Sequence, residues 1–197
     1  MAGHIAEVVE ASTGEFVAQS YEVNQAPPFG ALVRTSDGAL DLYAIVYQVT
    51  TAGVDPGRRA VALGRDVDDP EAIYRAQPQL LQLFRTDFHA LVVGYQADSR
   101  IVHTVPQRPA RIHDFIHPCT DDEVQRFTHS LGFLPLLLSF QAGTSVEELL
   151  GAFLRQAAAA RPVGEQREFL VKAGKELAVL LRGDVRRLSV VLERLRV

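Results

Sequence analysis

The chain has 197 residues, 47% of them hydrophobic, and a formal net charge of −4. This length fits one ordinary domain with an appendage or two small domains, and the hydrophobic content is typical of a globular protein. The negative charge argues against general affinity for nucleic acid, which needs a basic surface, and a single cysteine, Cys119, excludes a disulfide framework.

Neither the N-terminus nor any apolar run predicts a membrane or export signal. The first ten residues lack a basic region followed by a long apolar core, so no signal peptide is expected. The longest dense apolar run, residues 131–140, contains Pro135 and falls well short of the ~20 residues that span a bilayer. We therefore expect a cytoplasmic protein without membrane contact.

The first part of the chain has the alternating pattern of β-strands. Turn signals such as Ser12-Thr13-Gly14 separate the alternating segments. Strands are predicted at residues 4–11, 15–21, 31–35, 40–50, 59–64, 88–96, 101–105 and 111–117. The segment 40–50, rich in β-branched and aromatic residues, is predicted to be central.

Helical signals interrupt this pattern once and then replace it. Asp69 followed by Pro70 predicts an inserted helix at about 70–85, which Pro78 should kink or divide. Thr120 and Glu123 form a capping box, and further helices are predicted at about 145–160, 165–181 and 184–195. The predicted fold class is α+β: a six-stranded Greek-key-like barrel with an inserted helix in residues 1–120, then a helical subdomain in residues 121–197.

The β segments resemble the HAS barrel, the N-terminal barrel shared by HerA-type DNA translocases and ATP synthase headpiece subunits. The matching segments are GHIAEVVEASTGEFVAQSYEV, PPFGALVRT, LYAIVYQVT and FHALVVGYQADSRIVHTVPQRPARIHDFIHPCTDDEVQRF. The resemblance covers roughly residues 3–130. It implies a barrel used for ring formation and for docking partners, such as the nuclease that accompanies HerA.

The chain departs from the translocases because no Walker A loop follows the barrel. Neither Lys172 nor Lys175 stands in the G-x-x-x-x-G-K-[ST] context, so ATP hydrolysis is not implied. No G-x-S-x-G, H-E-x-x-H or G-x-G-x-x-G motif occurs either. We therefore expect a protein that is not an enzyme and needs no cofactor.

Two histidines and the cysteine form the one local group that suggests chemistry. His113 and His117 are four residues apart, a spacing that chelates zinc on a helix, but in a strand it separates the two side chains by ~13 Å. Two prolines bracket the segment and favour the strand, so no metal site is predicted. Cys119 precedes a predicted helix, whose N-terminus would lower the pKa of the thiol and make it reactive.

The C-terminal helices supply the candidate partner-binding residues. Residues 1–154 hold 19 acidic and 10 basic residues, a net of −9, whereas residues 155–197 hold 10 basic and 5 acidic residues, a net of +5. An apolar stripe and a basic face are predicted to bind a partner through Phe169, Leu177, Leu181, Arg182, Arg186 and Arg187.

The predicted function is that of a non-catalytic assembly or adaptor protein. It would bind a ring ATPase or a nuclease, or associate with copies of itself into a homo-oligomer. The alternative is a nucleic-acid-binding accessory factor that uses the basic C-terminal helices.

Overall fold

Six antiparallel strands close into a barrel, as the sequence predicts. The computed structural model describes residues 3–36, 38–57, 59–141 and 143–195. The strands are β1 (Ala6–Ala11), β2 (Glu15–Ser20), β3 (Leu32–Ser36), β4 (Asp41–Gly53), β5 (Phe84–Ala97), β6 (Arg100–Val102) and β7 (Phe115–Pro118). Around the barrel the order is β1, β2, β5, β4, β3 and β7, while β6 pairs only with β5.

Two ladders between distant parts of the chain close the barrel. Strand β2 pairs with β5, with Glu15 opposite Leu91, and β1 pairs with β7, with Ala6 opposite Ile116. Because every strand in the closed ring has two hydrogen-bonded neighbours, the barrel has no free edge. The α+β fold class with a six-stranded barrel is therefore confirmed.

The described residues also form six α-helices, and the five that follow β7 share a hydrophobic cluster with the outer face of the barrel. They are α1 (Pro70–Ala76), α2 (Asp121–Phe127), α3 (Leu134–Ser139), α4 (Val146–Ala159), α5 (Val163–Leu180) and α6 (Val185–Arg194), with a 3₁₀ helix at Pro78–Leu83. In the capping box of α2, the Glu123 amide donates to Thr120 Oγ1 at 3.3 Å and the Thr120 amide donates to Glu123 Oε2 at 2.8 Å. Ser145 caps α4 in the same way, by accepting from the Glu148 amide.

Strand β4 separates two hydrophobic clusters. Its side chains Leu42, Ala44 and Val46 point into the barrel interior. Tyr43, Ile45 and Tyr47 alternate with them and pack outside the barrel against the helices. Both faces of β4 are therefore buried at residues 42–47, which explains the run of β-branched and aromatic residues there.

Helix α4 lies against the barrel through close backbone contacts. Gly30 has a φ of +83°, and a Cβ at this position would lie 2.7 Å from Ala152 Cβ. The Gln156 side-chain amide donates to the Phe29 carbonyl at 2.7 Å. Below this contact, Arg34 Nε donates to Glu123 Oε1 at 2.8 Å and ties β3 to α2.

The structure differs from the predicted elements at residues 59–64, 111–117 and 134–139. Residues 59–64 form no strand, because no neighbouring strand is present to pair with them. Strand β7 begins only at Phe115, since the Arg111 amide donates to Asp114 Oδ2 at 2.7 Å and His113 has a φ of 71°, which together make a turn. Helix α3 was not predicted as a helix, but Pro135 is compatible with it because proline is tolerated in the first turn.

Candidate protein-binding surface

The segment between β4 and β5, residues 54–83 and called the arm below, contributes no buried side chain among its described residues. Instead it exposes large aliphatic side chains. Between 40% and 77% of the side-chain surface is exposed at Val54, Val61, Leu63, Val67, Leu81 and Leu83. Single exposed apolar residues are ordinary on proteins, but a cluster of this kind marks an interaction surface.

Local signals in the sequence account for the short helices of the arm. Asp69 Oδ1 accepts from the Glu71 amide at 3.0 Å, and the Asp69 carboxylate also pairs with Arg75. Pro78 lacks an amide hydrogen and divides the predicted helix into α1 and the 3₁₀ helix, as expected. Helices this short are marginal by themselves, so the arm is ordered mainly by its attachment to the barrel.

An apolar groove of about 560 Å³ runs along the arm. Its lining includes Val61, Leu63, Ile73, Leu80 and Leu83. The walls are mostly hydrophobic, so the groove fits an apolar side chain better than a charged one.

The base of the arm is held by regular β structure. Gly53 pairs with Phe84 at the end of the β4–β5 ladder, and the Val54 amide donates to the Leu83 carbonyl at 2.9 Å. The hydroxyl groups of Thr51 and Thr86 lie 2.8 Å apart across the two strands. The arm is therefore presented from a paired, two-stranded stem.

The predicted apolar stripe on α5 faces the core of the chain. Phe169, Leu177 and Leu181 are 6%, 0% and 8% exposed, respectively, and belong to the cluster between the barrel and the helices. The Arg161 guanidinium lies 3.7 Å from the centroid of the Phe169 ring. In this conformation the stripe has no surface to offer a partner.

The three predicted arginines have different surroundings. Arg187 Nε donates to Glu147 Oε1 at 2.7 Å and links α6 to α4, while Arg182 and Arg186 are exposed. Burial alone would raise the pKa of Glu147, but hydrogen bonds from Arg187 and Ser145 hold it below its ordinary range. Of the six predicted residues, Arg182 and Arg186 are the two fully available to a partner.

Cys119 differs from the expectation of a reactive thiol. Burial raises the pKa of Cys119, and the nearby Glu123 carboxylate raises it further. The expectation was wrong because the residue packs against the hydrophobic cluster outside the barrel, and desolvation outweighs the helix N-terminus. His113 lies apart from this environment, with Nδ1 3.4 Å from Glu7 Oε2. Among the described residues, no group of three or more His, Cys, Asp or Glu side chains is placed to hold a metal ion.

Sequence reasoning missed the arm as a surface. The signal was present, because Asp55-Pro56-Gly57 and the acidic residues from Asp66 onwards flank the apolar residues 60–63. The short apolar segment at 59–64 was predicted to form a strand, which would have buried these side chains. A strand needs a neighbour, and no strand of the sheet pairs with this segment.

Comparison with protein-family models and with curated proteins identifies no relative of the chain. In the described parts of the chain, no helix is both long and apolar enough to cross a bilayer. No protein-family model matches the chain, and a search of curated proteins finds none that matches it.

Proposed function

We propose that the chain is a non-catalytic assembly or adaptor protein and that it binds protein through the arm. The observation that carries this proposal is the exposure of six large aliphatic side chains on a segment whose described residues bury no side chain. Such a segment adds nothing to the core of the monomer, so a binding role accounts for its composition.

The occupant that the arm fits best is a second copy of the chain. Residues 54–83 contain four arginines and five acidic residues, so positive and negative groups surround the apolar side chains in nearly equal number. A two-fold interface brings the same patch together from both copies and must be complementary to itself. A patch of balanced charge meets this requirement, whereas a patch of one sign would repel its copy.

The resemblance to the HAS barrel supports an assembly role independently of the arm. The resemblance implies a barrel in the first part of the chain, and the strands there form a closed ring. A ring ATPase or a nuclease, the partners suggested by the resemblance, is the alternative occupant of the arm.

Sedimentation velocity of the full chain at several concentrations tests the proposal. We expect a dimer or larger closed oligomer that dissociates on dilution. The double substitution Val61→Asp/Leu63→Asp should convert it to a monomer, because it places two charges from each copy in the interface. Val179→Asp is the matched control, since Val179 is 63% exposed on α5, outside the arm.

The outcomes separate the two occupants. A wild-type chain that is monomeric at every concentration, or an arm variant that remains oligomeric, would rule out self-association through the arm. Binding of a purified ATPase or nuclease by the wild-type chain, lost in the arm variant, would then assign the arm to that partner. Circular dichroism confirms that each variant is folded before it is compared.

A further inference from the structure

A second cavity, of about 530 Å³, lies between the barrel and helix α4. Leu32 of β3 forms one wall, Phe153 and Ala157 of α4 form another, and the loop from Tyr21 to Ala31 covers it. The volume is within the range of small-molecule sites, which occur preferentially where two structural units meet.

The cavity is already formed in this conformation. The loop that covers it is fixed by the hydrogen bond from Gln156 to the Phe29 carbonyl and by the close approach of Gly30 to α4. A ligand would therefore find its walls in place and would not have to order the loop, a cost that otherwise reduces affinity.

The charged groups of the cavity have one sign. Glu22 and Asp121 line it, and none of its described lining residues is a lysine or arginine. Aromatic rings stand at the same place: His4 lies edge-on to Tyr21, with 5.5 Å between the ring centroids, and stacks on Phe115 at 4.3 Å. His4 and Tyr21 are themselves lining residues.

We infer that this cavity binds a small, largely apolar molecule that carries a cationic nitrogen. The apolar walls would take the hydrocarbon part of the molecule, because its burial removes apolar surface from water. The carboxylates of Glu22 and Asp121 would attract the positive charge, and Tyr21, whose ring can also stabilise a cation, lines the same cavity. This inference is independent of the arm and of self-association.

Three probes with one aromatic ring and different charge test the inference. Phenethylamine is the cation, 3-phenylpropionate the anion and 2-phenylethanol the neutral molecule, and each is titrated into the ¹⁵N-labelled full chain. We expect phenethylamine to shift the amide signals of residues 21–31 and 153–160. The neutral probe should bind at least tenfold more weakly, and the anion should cause no shift there.

Variants then identify the groups that hold the charge. Glu22→Gln alters an exposed loop residue, so it should not disturb the fold, and with Asp121→Asn it should weaken phenethylamine binding at least tenfold. Asp122→Asn is the matched control, because Asp122 is the next residue of α2 but does not line the cavity. Ala31→Leu should block phenethylamine and 2-phenylethanol by filling the cavity.

Three results would overturn the inference. One is equal binding of the three probes, which would mean that the charge of the cavity selects nothing. Another is an affinity for phenethylamine that neither Glu22→Gln nor the double variant changes. Amide shifts confined to residues outside the cavity would likewise overturn it. If the double variant is unfolded, Glu22→Gln alone decides, with an expected loss of at least threefold.

Discussion

At the scale of single residues, Gly30 packs against helix α4 with no room for a side chain. Its φ of +83° favours glycine, and an added Cβ would lie 2.9 Å from the Phe153 backbone nitrogen. We expect Gly30→Ala to lower the free energy of unfolding by roughly 2–4 kcal/mol, since conformational strain and overpacking act together. Urea denaturation measures this loss.

Gly38 provides the control for this prediction. Its φ is +87°, but an added Cβ would meet no atom within 4 Å. Gly38→Ala should therefore cost only about 1 kcal/mol, the part due to conformation. Equal losses at both positions would show that the contact with α4 contributes nothing.

Glu123 gives the chain a predictable response to acid. Burial alone would raise the pKa of Glu123, but the Thr120 amide and the Arg34 guanidinium hold it below its ordinary range. Because the pKa of Glu123 is lower in the folded than in the unfolded chain, the ionised carboxylate stabilises the fold at a pH above the unfolded-state pKa. This stabilisation is lost as the pH falls through the folded-state pKa. Glu123→Gln should cost about 1–2 kcal/mol at pH 7 and progressively less below about pH 4.3.

Urea denaturation at pH 7 and pH 3.5 checks this pH dependence. Asp122→Asn is an exposed substitution in the same helical turn. Its difference from the wild type in the free energy of unfolding should not shrink in this way between pH 7 and pH 3.5. If the stability difference between wild type and Glu123→Gln were the same at both pH values, the carboxylate charge would not be its cause.

Residues whose role depends on near neighbours in the chain could be predicted from sequence. Asp69, Thr120 and Glu123 were identified correctly because a capping residue acts within three positions of itself. The low reactivity of the Cys119 thiol was not predicted, because its pKa depends on burial by segments far away in the chain. The capping argument was correct at this helix start, but desolvation decided the chemistry of the thiol.

At the scale of elements, helix α5 packs on the core through one side. Leu177 is fully buried there, whereas Leu180 is 38% exposed. Leu177→Ala should lower the free energy of unfolding by about 2–5 kcal/mol, and Leu180→Ala by less than about 1 kcal/mol. Thermal and urea denaturation compare the two, and similar losses would contradict the assignment of the buried side.

The arm should be dispensable for folding. Gly53 pairs with Phe84, so replacing residues 54–83 by Asn-Gly joins β4 and β5 through a two-residue hairpin turn. We expect stability to be unchanged or to rise by up to about 2 kcal/mol, because a shorter loop loses less entropy on closing. Scanning calorimetry measures it, and a large loss of stability would mean that the arm supports the barrel.

The element predictions succeeded or failed according to how local their cause is. The period of two in β1, β2 and β4 and the proline at position 78 were sufficient to place those elements. The pattern of residues 59–64 was not sufficient to place a strand, since strand pairing depends on a neighbouring strand. The apolar stripe of Phe169, Leu177 and Leu181 was predicted to bind a partner but packs on the core, since sequence alone cannot decide whether an apolar face meets the same chain or another one.

At the scale of the whole molecule, the barrel and the helices share one hydrophobic cluster. Tyr43, Ile45 and Val93 of the barrel pack in it together with residues of α4 and α5. Residue 120 marks the predicted change from strands to helices, but a chain ending there would expose the outer face of β4. We expect residues 1–120 alone to be unfolded or to aggregate, because this face is apolar.

The soluble fraction after expression and the dispersion of the amide spectrum measure this outcome. The Asn-Gly variant that lacks the arm but keeps the helices is the control and should remain soluble and well dispersed. A dispersed spectrum from residues 1–120 would show that the barrel is a domain that folds alone.

The closed ring of strands also constrains the order in which a growing chain can fold. Glu15 can pair with Leu91, and Ala6 with Ile116, only after the later segments have left the ribosome. Until then the β1–β2 hairpin has unpaired edges, which are prone to pair with other chains. The outer face of β4 stays uncovered for longer, until α4 and α5 have been synthesised. A chaperone that shields apolar surface would therefore be most effective while the last third of the sequence is being made.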